Sequence, residues 1–351
     1  MSMLFNNMAK WCKSSPCVGV ITIISLFGVL YLMLRSKSEF QNETASKMKH
    51  SYCDCYMKPR VVHTTNEDDL TASCAMSGLQ GPHQKVISYS FYDDPHTSDK
   101  LNRNFFRGIN ENLEGIKELF NKYLLPHTIH KEVPFTMRLY FQLHPSSMNK
   151  DKLCKLACNE PLLDICEIKN SNQLFPMLWR FFPIGDTNVD YFFSRDLDSR
   201  ITTREIHALL EFINSKKSLH IMRDHMHHGT QILGGMWGVN LQNKNSRERL
   251  KTGLYNMLKD PIAFSSRTES QHDQTLLKKY IWPLAGVHGL SHDSYFCQTY
   301  KDSIPFPTQR RNEILNFVGA VADINNTIVF TEKNECPYAC RPKDHKEWAY
   351  C

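Results

Sequence analysis

The chain has 351 residues, of which 41% are hydrophobic and 22% are charged. This composition is typical of a globular protein with one large or two ordinary domains, and it excludes a fibrous or wholly disordered chain. The formal net charge of +6 is modest, and the sequence has neither a block of like charges nor a nucleic-acid-binding motif, so no nucleic acid is expected as a partner.

An uncharged, apolar segment lies near the start of the chain, at residues 17–34. At about 1.5 Å per residue, a helix of this length just crosses the hydrocarbon core of a membrane. The preceding stretch is long for a signal peptide and no clear cleavage site follows, which favours a retained anchor. The sequence therefore predicts a cytosolic tail at 1–16, a transmembrane signal anchor at 17–34 and a polar stem at 35–82.

The cysteines and glycosylation sequons indicate on which side of the membrane the body lies. Ten of the 12 cysteines follow the predicted anchor, and an even set suits disulfides in an oxidising compartment. Sequons at Asn42 and Asn325 lie on the same side. We expect a single-pass type II protein with a lumenal body at 83–351. Three cysteines are close enough in sequence for a local disulfide: Cys154, Cys158 and Cys166.

Short apolar runs alternate with amphipathic segments from about residue 83. Runs typical of strands lie at 86–92, 135–141, 162–168 and 189–193, with helical patterns between them at 101–123, 152–158 and 174–182. This order predicts an α/β, Rossmann-like, mostly parallel sheet with helices on both faces. Beyond it, Thr202 and Glu205 form a capping box at the start of a helix. A strand at 218–222, helices at 246–259 and 273–282, and a disulfide-tied end at 336–351 are also expected.

The fourth predicted strand ends in two aspartates one residue apart, Asp196 and Asp198, between Arg195 and Arg200. Ligands of such sheets bind beyond the carboxyl ends of the strands, and a hard divalent cation requires a cluster of oxygens. The pattern predicts a site for Mn²⁺ or Mg²⁺ and a diphosphate, because guanidinium groups match phosphate oxygens. The alternatives are a solvated acidic turn, and arginines that pair with neighbouring carboxylates.

Around these aspartates the chain resembles a little-characterised group of nucleotide-diphospho-sugar transferases with the GT-A fold. Six segments carry the resemblance: Trp179-Arg180-Phe181, Ser194 to Arg200, Met222-Arg223-Asp224-His225, Ile232 to Gly238, Asp273-Gln274 and His292-Asp293-Ser294. The resemblance implies a metal-dependent glycosyltransferase that moves a sugar from a nucleotide-diphosphate donor to a glycan, protein or lipid acceptor. With the type II topology, it implies an enzyme of the Golgi membrane.

The resemblance also implies roles for individual residues. His292 would complete the metal ligands begun by Asp196 and Asp198, although His288 is only four residues earlier. Asp273 would lie near the acceptor, as the general base if the enzyme inverts; the alternative is a helix N-cap. The residues expected to bind the donor are Arg180, Arg195, Arg200, Arg223, Asp224, Gly234, Gly235 and Trp237.

Two of these expectations have alternatives in the residues themselves. Gly234 and Gly235 admit a ligand close to the backbone and Trp237 offers a face for a sugar ring, but the same segment could be a tight turn that packs the indole into the core. Three nearby histidines do not have the spacing of a zinc site, and we expect at most one of them to touch the site: His225, His227 and His228.

Two other functions fit part of the sequence. Asp196-Leu-Asp198-Ser after a strand also resembles the first motif of haloacid-dehalogenase-type phosphatases, in which the first Asp is a nucleophile and the second an acid/base. That motif usually lies near the start of its domain, whereas at least three predicted strands precede it here. The second alternative is a lumenal binding protein that keeps the fold without catalysis.

Overall fold

The structure is a computed structural model that describes residues 71–74, 81–92, 99–143, 149–169, 174–264, 271–285, 289–310, 317–323, 325, 327–328 and 334–351. The predicted tail, the predicted anchor and Asn42 lie outside these residues. Among the helices that the structure describes, none is both long and apolar enough to cross a membrane. The anchor at 17–34 and the type II topology therefore remain predictions.

Eight strands form one mixed sheet. They are β1 Thr71–Cys74, β2 Gln84–Tyr92, β3 Phe135–Gln142, β4 Leu163–Lys169, β5 Val189–Ser194, β6 Leu219–Arg223, β7 Trp237–Asn240 and β8 Gly289–Asp293. Their order is β1-β4-β3-β2-β5-β7-β6-β8. Strands β4, β3, β2 and β5 are mutually parallel, as are β6 and β8, whereas β1 and β7 run antiparallel to their neighbours. This confirms the predicted α/β, Rossmann-like sheet with mainly parallel strands.

Six α-helices are described, and they are joined by shorter helical turns. The α-helices are α1 Asp99–Gly115, α2 Asn149–Asn159, α3 Thr203–Ser215, α4 Lys244–Leu258, α5 His272–Tyr280 and α6 Trp282–Ala285. A π-helical segment, Ile116–Leu124, continues α1, and 3₁₀ helices lie at Leu125–His127, Pro176–Gly185, Pro261–Phe264 and Tyr338–Cys340. The predicted helical segment at 174–182 thus corresponds to the 3₁₀ helix Pro176–Gly185. This helix contains Pro183, which cannot donate a backbone hydrogen bond.

Helices cover both faces of the sheet, as the sequence predicts. On one face, apolar residues of α1 and α3 such as Ile109 and Leu209 pack against β2 and β5. On the other face, the 3₁₀ helix Pro176–Gly185 packs with α4 and α5, for example through Trp179 and Leu254. The sheet is therefore buried on both sides, and the open ends of its strands are the places where a ligand can approach the backbone.

Strands β1, β7 and β8 have no counterpart in the sequence prediction. Strand β1 is only four residues long and lies within the predicted stem at 35–82, so the folded body begins before residue 83. Its register places Cys74 opposite Cys166, and these two cysteines form a disulfide. The predicted local disulfide of Cys166 with Cys154 or Cys158 is therefore wrong, because strand pairing brings a distant cysteine closer than the neighbouring helix does.

The C-terminal end is tied by disulfides, as predicted. Cys297 pairs with Cys340, and Cys336 pairs with Cys351. The predicted sequon at Asn325 lies at an exposed turn in which the backbone N–H of Asn325 donates to Asp323. Its exposure is compatible with glycosylation, which remains a prediction.

Asp260 holds α5 in place beside the end of α4. Its Oδ2 accepts hydrogen bonds from Lys279 Nζ at 2.6 Å and from the Tyr280 hydroxyl at 2.8 Å, and its Oδ1 accepts from the backbone N–H of Ile262 at 2.9 Å. The bond from Lys279 is the largest of the effects that lower the pKa of Asp260 to about 2. The ionised carboxylate therefore stabilises the position of α5, the helix that carries Asp273.

We expect Asp260→Asn to lower the free energy of unfolding by about 1 kcal/mol at neutral pH, a modest value because Lys279 is more than half exposed. The pKa of this carboxyl is lower in the folded state than in the unfolded state. Its stabilisation is therefore complete above the unfolded pKa of about 4 and is lost as the pH falls through about 2. Urea unfolding at pH 7 and at about pH 3 checks this, and an equal difference at both pH values would contradict it.

Candidate active site

The two aspartates of the Asp-x-Asp motif lie in a turn at the carboxyl end of β5. The backbone N–H of Arg195 still donates to Ser88 of β2 at 3.1 Å, so the sheet continues up to the first aspartate. The chain then turns, with Ser199 N–H and Oγ both bonded to the carbonyl oxygen of Asp196. The carbonyl of Asp198 accepts from the backbone N–H of Ala322 at 2.8 Å. The aspartates therefore occupy a defined loop at the strand end where the sequence predicts a ligand.

Arg180 joins the first aspartate to a third carboxylate. Its Nη1 is paired with Asp196 Oδ1, and its Nη2 donates to Asp273 Oδ2 at 2.8 Å. The side chain of Arg180 is only 2% exposed and that of Asp273 7%, whereas Asp196 is 36% exposed. Three distant segments thus meet here: the 3₁₀ helix Pro176–Gly185, the loop after β5 and the first turn of α5. We call Arg180, Asp196, Asp198 and Asp273 the carboxylate site.

The electrostatics of the carboxylate site favour a positively charged ligand. Burial, and then the charge of Asp196, raise the pKa of Asp198 above the usual carboxyl range. Burial also raises the pKa of Asp273, although Arg180 opposes this. Neighbouring carboxylates repel each other, and a divalent cation between them removes that repulsion. The oxygen donors of Asp196 and Asp198 are the type that Mn²⁺ and Mg²⁺ prefer, so these residues fit such an ion.

Gly234 and Gly235 pack directly against the carboxylate site. A Cβ at Gly234 would lie 2.0 Å from Asp273 Oδ2, and one at Gly235 would lie 1.9 Å from Asp196 Oδ2. The carbonyl of Gly234 is fixed by the Ser194 hydroxyl at 2.6 Å and by the indole N–H of Trp237 at 3.2 Å. The two glycines are thus required for close approach, as expected, but what they approach in this structure is the carboxylates.

We expect Gly235→Ala to displace the carboxylate of Asp196 and to weaken ligand binding at the carboxylate site by at least about tenfold, a change of about 1.4 kcal/mol. The methyl group would overlap both Oδ2 and Cγ of Asp196. Gly115→Ala is the matched control, because its new methyl group would meet only the side chain of Ile201, at 3.1 Å or more. Titration calorimetry with Mn²⁺ and a nucleoside diphosphate measures both, and equal affinities would contradict the expectation.

The guanidinium groups of the arginines beside the aspartates are bonded to neighbouring protein groups. Arg195 is buried, with its Nε paired to Glu205 and its Nη1 bonded to the carbonyl of Ser194 at 2.6 Å. Arg200 pairs with Glu111 and donates to the Leu197 carbonyl at 2.8 Å. Both guanidinium groups hold the loop to neighbouring helices, which is the expected alternative of arginines that pair with carboxylates, so diphosphate binding by Arg195 and Arg200 stays a prediction.

The start of helix α3 differs in one contact from the predicted capping box. The side chain of Thr202 caps α3 by accepting from the backbone N–H of Glu205, as predicted. The carboxylate of Glu205 does not complete a capping box, however, because it pairs with Arg195 across the interior. The residue that follows β5 and helix α3 are therefore joined by a buried ion pair next to the aspartates.

Three further residues that were expected to bind the donor are structural. Arg223 is fully buried and donates to Asp293 Oδ2 at 2.5 Å. Asp224 is also buried and accepts two bonds from Arg204, each of 2.8 Å. Trp237 is buried in β7, where its indole packs edge-on against Phe181 and Phe192. These contacts correct the expected roles of Arg223, Asp224 and Trp237, and for the tryptophan they confirm the alternative of an aromatic packed in the core.

His292 is not directed at the aspartates. It is buried in β8, its Nδ1 lies 2.8 Å from His220 Nε2, and its Nε2 lies 2.7 Å from Glu211 Oε2. Both ring nitrogens are therefore engaged, and the expected role of His292 as a metal ligand with Asp196 is corrected. The expectation failed because the sequence shows neither β8 nor the partners that its residues meet in β6 and α3.

His228 is a histidine whose pKa responds to the carboxylate site. Burial lowers its pKa to about 4, and Asp224 and Asp196 are among the charges that oppose this shift. Its Nδ1 accepts the backbone N–H of Asp224 at 3.2 Å, so the proton of the neutral ring lies on Nε2. At neutral pH this histidine is an uncharged hydrogen-bond donor within the electrostatic range of Asp196.

The segment 317–323 completes this side of the site, although no sequence motif predicts its role. Its backbone bonds to Asp198 and also, through the N–H of Val318 at 2.9 Å, to Asp224 Oδ2. The ring of Phe317 stacks on His225 at 4.3 Å between centroids. Arg204 connects the same network to the C-terminal end by donating to the carbonyl of Cys351. A segment without a motif thus supports the loop that carries the aspartates.

No protein-family model and no curated protein sequence matches the chain. Among solved structures, it is similar to a glycosyltransferase involved in the glycosylation of the major capsid of PBCV-1, with 14% identity and a TM-score of 0.32, over 62% of this chain and 90% of the other. Residues 1–349 of S. aureus TarS are 13% identical with a TM-score of 0.32, over 56% of this chain and 55% of the other. Mouse xyloside xylosyltransferase 1 in its apo form is 13% identical with a TM-score of 0.30, over 61% of this chain and 85% of the other. Sequence identities and TM-scores this low do not establish a function, so the function is inferred from the residues of the carboxylate site.

Proposed function

We propose that the chain is a glycosyltransferase of the GT-A type, which moves a sugar from a nucleotide-diphosphate donor to a hydroxyl group of a glycan, protein or lipid acceptor in a reaction that depends on a divalent metal. The observation that carries the proposal is the carboxylate site. Two carboxylates follow β5 at the end of a mainly parallel sheet, and Arg180 links the first of them, Asp196, to a third carboxylate on α5. Strand ends of this kind are where α/β proteins bind their ligands.

Asp196 and Asp198 would hold Mn²⁺ or Mg²⁺ together with the diphosphate of the donor. When bound, the cation offsets the negative charge that develops on the leaving nucleoside diphosphate. The proposal assigns no diphosphate contact to Arg195 or Arg200, which are engaged by Glu205 and Glu111. The Nε2–H of His228 is the nearby neutral donor that would bond a phosphate oxygen.

Asp273 would act as the general base of an inverting transfer. The acceptor hydroxyl loses its proton to Asp273 Oδ1 or Oδ2 as its oxygen bonds to the anomeric carbon, and the bond from that carbon to the phosphate oxygen breaks with its electron pair on the phosphate. A raised pKa makes Asp273 a better proton acceptor than an ordinary carboxylate. Arg180 would be a positioning residue, because its guanidinium fixes the carboxylate of Asp273 relative to Asp196.

The cellular setting is part of the proposal. A signal anchor at 17–34, a lumenal body and the Golgi membrane agree with disulfides at three places in the described body. Exposure of Asn325 also agrees with a lumenal location.

The test is metal-dependent nucleotide binding by the full-length protein. We expect a nucleoside diphosphate to bind only with Mn²⁺ or Mg²⁺ present, and Asp198→Asn to weaken that binding at least about tenfold. Asp302→Asn, which removes an exposed carboxylate remote from the motif, is the matched control and should bind normally. Hydrolysis of a simple phosphate ester that is lost in Asp196→Asn would instead support the phosphatase. Absence of both nucleotide binding and hydrolysis would support a non-catalytic binding protein.

A further inference from the structure

A second cluster of metal-binding side chains lies at the opposite end of the sheet from the carboxylate site. His83 immediately precedes β2, Asp190 is the second residue of β5, and His130 lies in the loop that leads to β3. All three are therefore at the amino ends of parallel strands. Asp190 lies at the start of β5 and Asp196 lies in the turn after its end, six positions later, which corresponds to roughly 20 Å of extended chain, so the two sites are separate.

The three side chains converge closely enough to share one ion. One ligand atom from each of His83, His130 and Asp190 lies within 4.8 Å of the other two. His83 Nδ1 is 2.9 Å from Asp190 Oδ2, and the two imidazole rings are stacked with centroids 3.6 Å apart. Zinc bonds of about 2.0–2.2 Å require ligand atoms roughly 3.3 Å apart in a tetrahedral site, so small side-chain rotations suffice.

Two features of the backbone set the positions of the histidines. His83 has φ of 67° and His130 has φ of 56°, a left-handed conformation that is uncommon in residues other than glycine. The ammonium of Lys85 donates to the carbonyls of His130 and Val133, at 2.7 and 2.8 Å, and so fixes the loop that carries His130. Asp190 is a strand residue and its side chain is 12% exposed. Two unusual backbone conformations are thus maintained at the two histidines.

We propose that His83, His130 and Asp190 form a binding site for Zn²⁺. Imidazole nitrogens suit zinc better than they suit Mn²⁺ or Mg²⁺, which prefer oxygen ligands, so this site and the carboxylate site take different metals. His83 and His130 have side chains that are 43% and 35% exposed, which gives a metal ion access from solvent. Glu132, with Oε1 3.4 Å from His130 Nδ1, is close enough to supply a fourth ligand, and water is the other source.

The site would tie three strands together at the end of the sheet that is remote from the chemistry. Zinc bound there would link the start of β2, the start of β5 and the loop before β3, and would stabilise the folded chain by mass action. The inference does not depend on the proposed transfer reaction, because none of its residues belongs to the carboxylate site.

The test uses full-length protein freed of metal, titrated with Zn²⁺ in a calorimeter. We expect the wild type to bind one Zn²⁺ at this site with a Kd below about 10 µM, and His83→Gly and His130→Gly to weaken that binding at least about 100-fold. Glycine is the chosen replacement because it adopts positive φ without strain, so both variants should fold at least as well as the wild type. Asp198→Asn should retain this binding, which separates it from any zinc bound at the carboxylate site.

His345→Ala is the matched control. His345 also pairs with a carboxylate, Glu347, at 3.0 Å, but it belongs to no three-ligand group among the described residues. A second measurement is thermal unfolding, in which Zn²⁺ should raise the Tm of the wild type and of His345→Ala but not of the two glycine variants. The proposal is overturned if the wild type binds Zn²⁺ with a Kd above about 10 µM, or if either glycine variant binds it as tightly as the wild type does.

Discussion

Asp273→Asn is expected to lower the turnover number of the proposed sugar transfer by about 10²- to 10⁴-fold, the usual contribution of a general base. The amide keeps the shape of the side chain and can still accept the bond that Arg180 donates at 2.8 Å. The affinity for Mn²⁺ and the nucleoside diphosphate should therefore stay within about twofold of the wild type, a small change on a scale where tenfold is about 1.4 kcal/mol. This separates Asp273 from Asp198, whose replacement should affect binding itself.

The pH profile adds a readout that a structural role would not change. Since burial raises the pKa of Asp273, the wild-type rate should increase with pH as this carboxyl ionises and then level off. The low residual rate of Asp273→Asn should not show this rise with pH. Steady-state assays with the donor saturating measure both, and Asp302→Asn serves as the control. A turnover number within tenfold of the wild type would rule out Asp273 as the base.

Arg180→Met is expected to have the largest effect on stability, with a loss of about 3 kcal/mol in the free energy of unfolding. Methionine fills much of the same volume but leaves the buried carboxylate of Asp273, and in part that of Asp196, without a positive partner. The estimate is at the low end of the range for a broken buried ion pair because Asp196 is partly exposed and can remain hydrated. Urea unfolding of the full-length protein measures the change.

A second variant tests whether the loss comes from the uncompensated charge. Combining Arg180→Met with Asp273→Asn should recover part of the lost stability, because the double variant no longer buries that charge. Lys117→Met is the surface control, since Lys117 pairs with Glu114 and Glu160 on the exterior and should cost less than about 1 kcal/mol. If the double variant is less stable than Arg180→Met alone, the charge explanation fails.

The parts of the fold with strong local patterns were predictable. Runs such as 86–92 and 189–193 are mostly apolar and aromatic, because both faces of the sheet are covered, and they correspond to β2 and β5. Strand β1 was not predictable, since Thr71–Cys74 is short and carries no periodic signal. Strand β7 begins just after two glycines, which indicate a turn, and its role is defined only by pairing with β5 and β6.

The carboxylates and glycines of the candidate site were predictable from the sequence, but the partners of the arginines and of His292 were not. Asp196, Asp198, Asp273 and the two glycines come together as the motifs suggested. The partners of the arginines could not be inferred, because Glu205 and Glu111 lie on helices whose position depends on tertiary packing. An arginine is equally suited to a buried ion pair and to a phosphate contact, so the sequence alone does not distinguish these two roles.

The disulfide between Cys336 and Cys351 has a practical consequence for work with this protein. The carbonyl of Cys351 accepts a hydrogen bond from Arg204, and Arg204 donates to the carboxylate of Asp224. Asp224 is in turn hydrogen-bonded to His228 and to the backbone N–H of Val318. Thiol reductants in a purification buffer, or expression in a reducing cytoplasm, would break this disulfide and free Cys351, whose carbonyl bonds to Arg204. Protein prepared in an oxidising secretory host is therefore the appropriate material for testing the proposed donor binding.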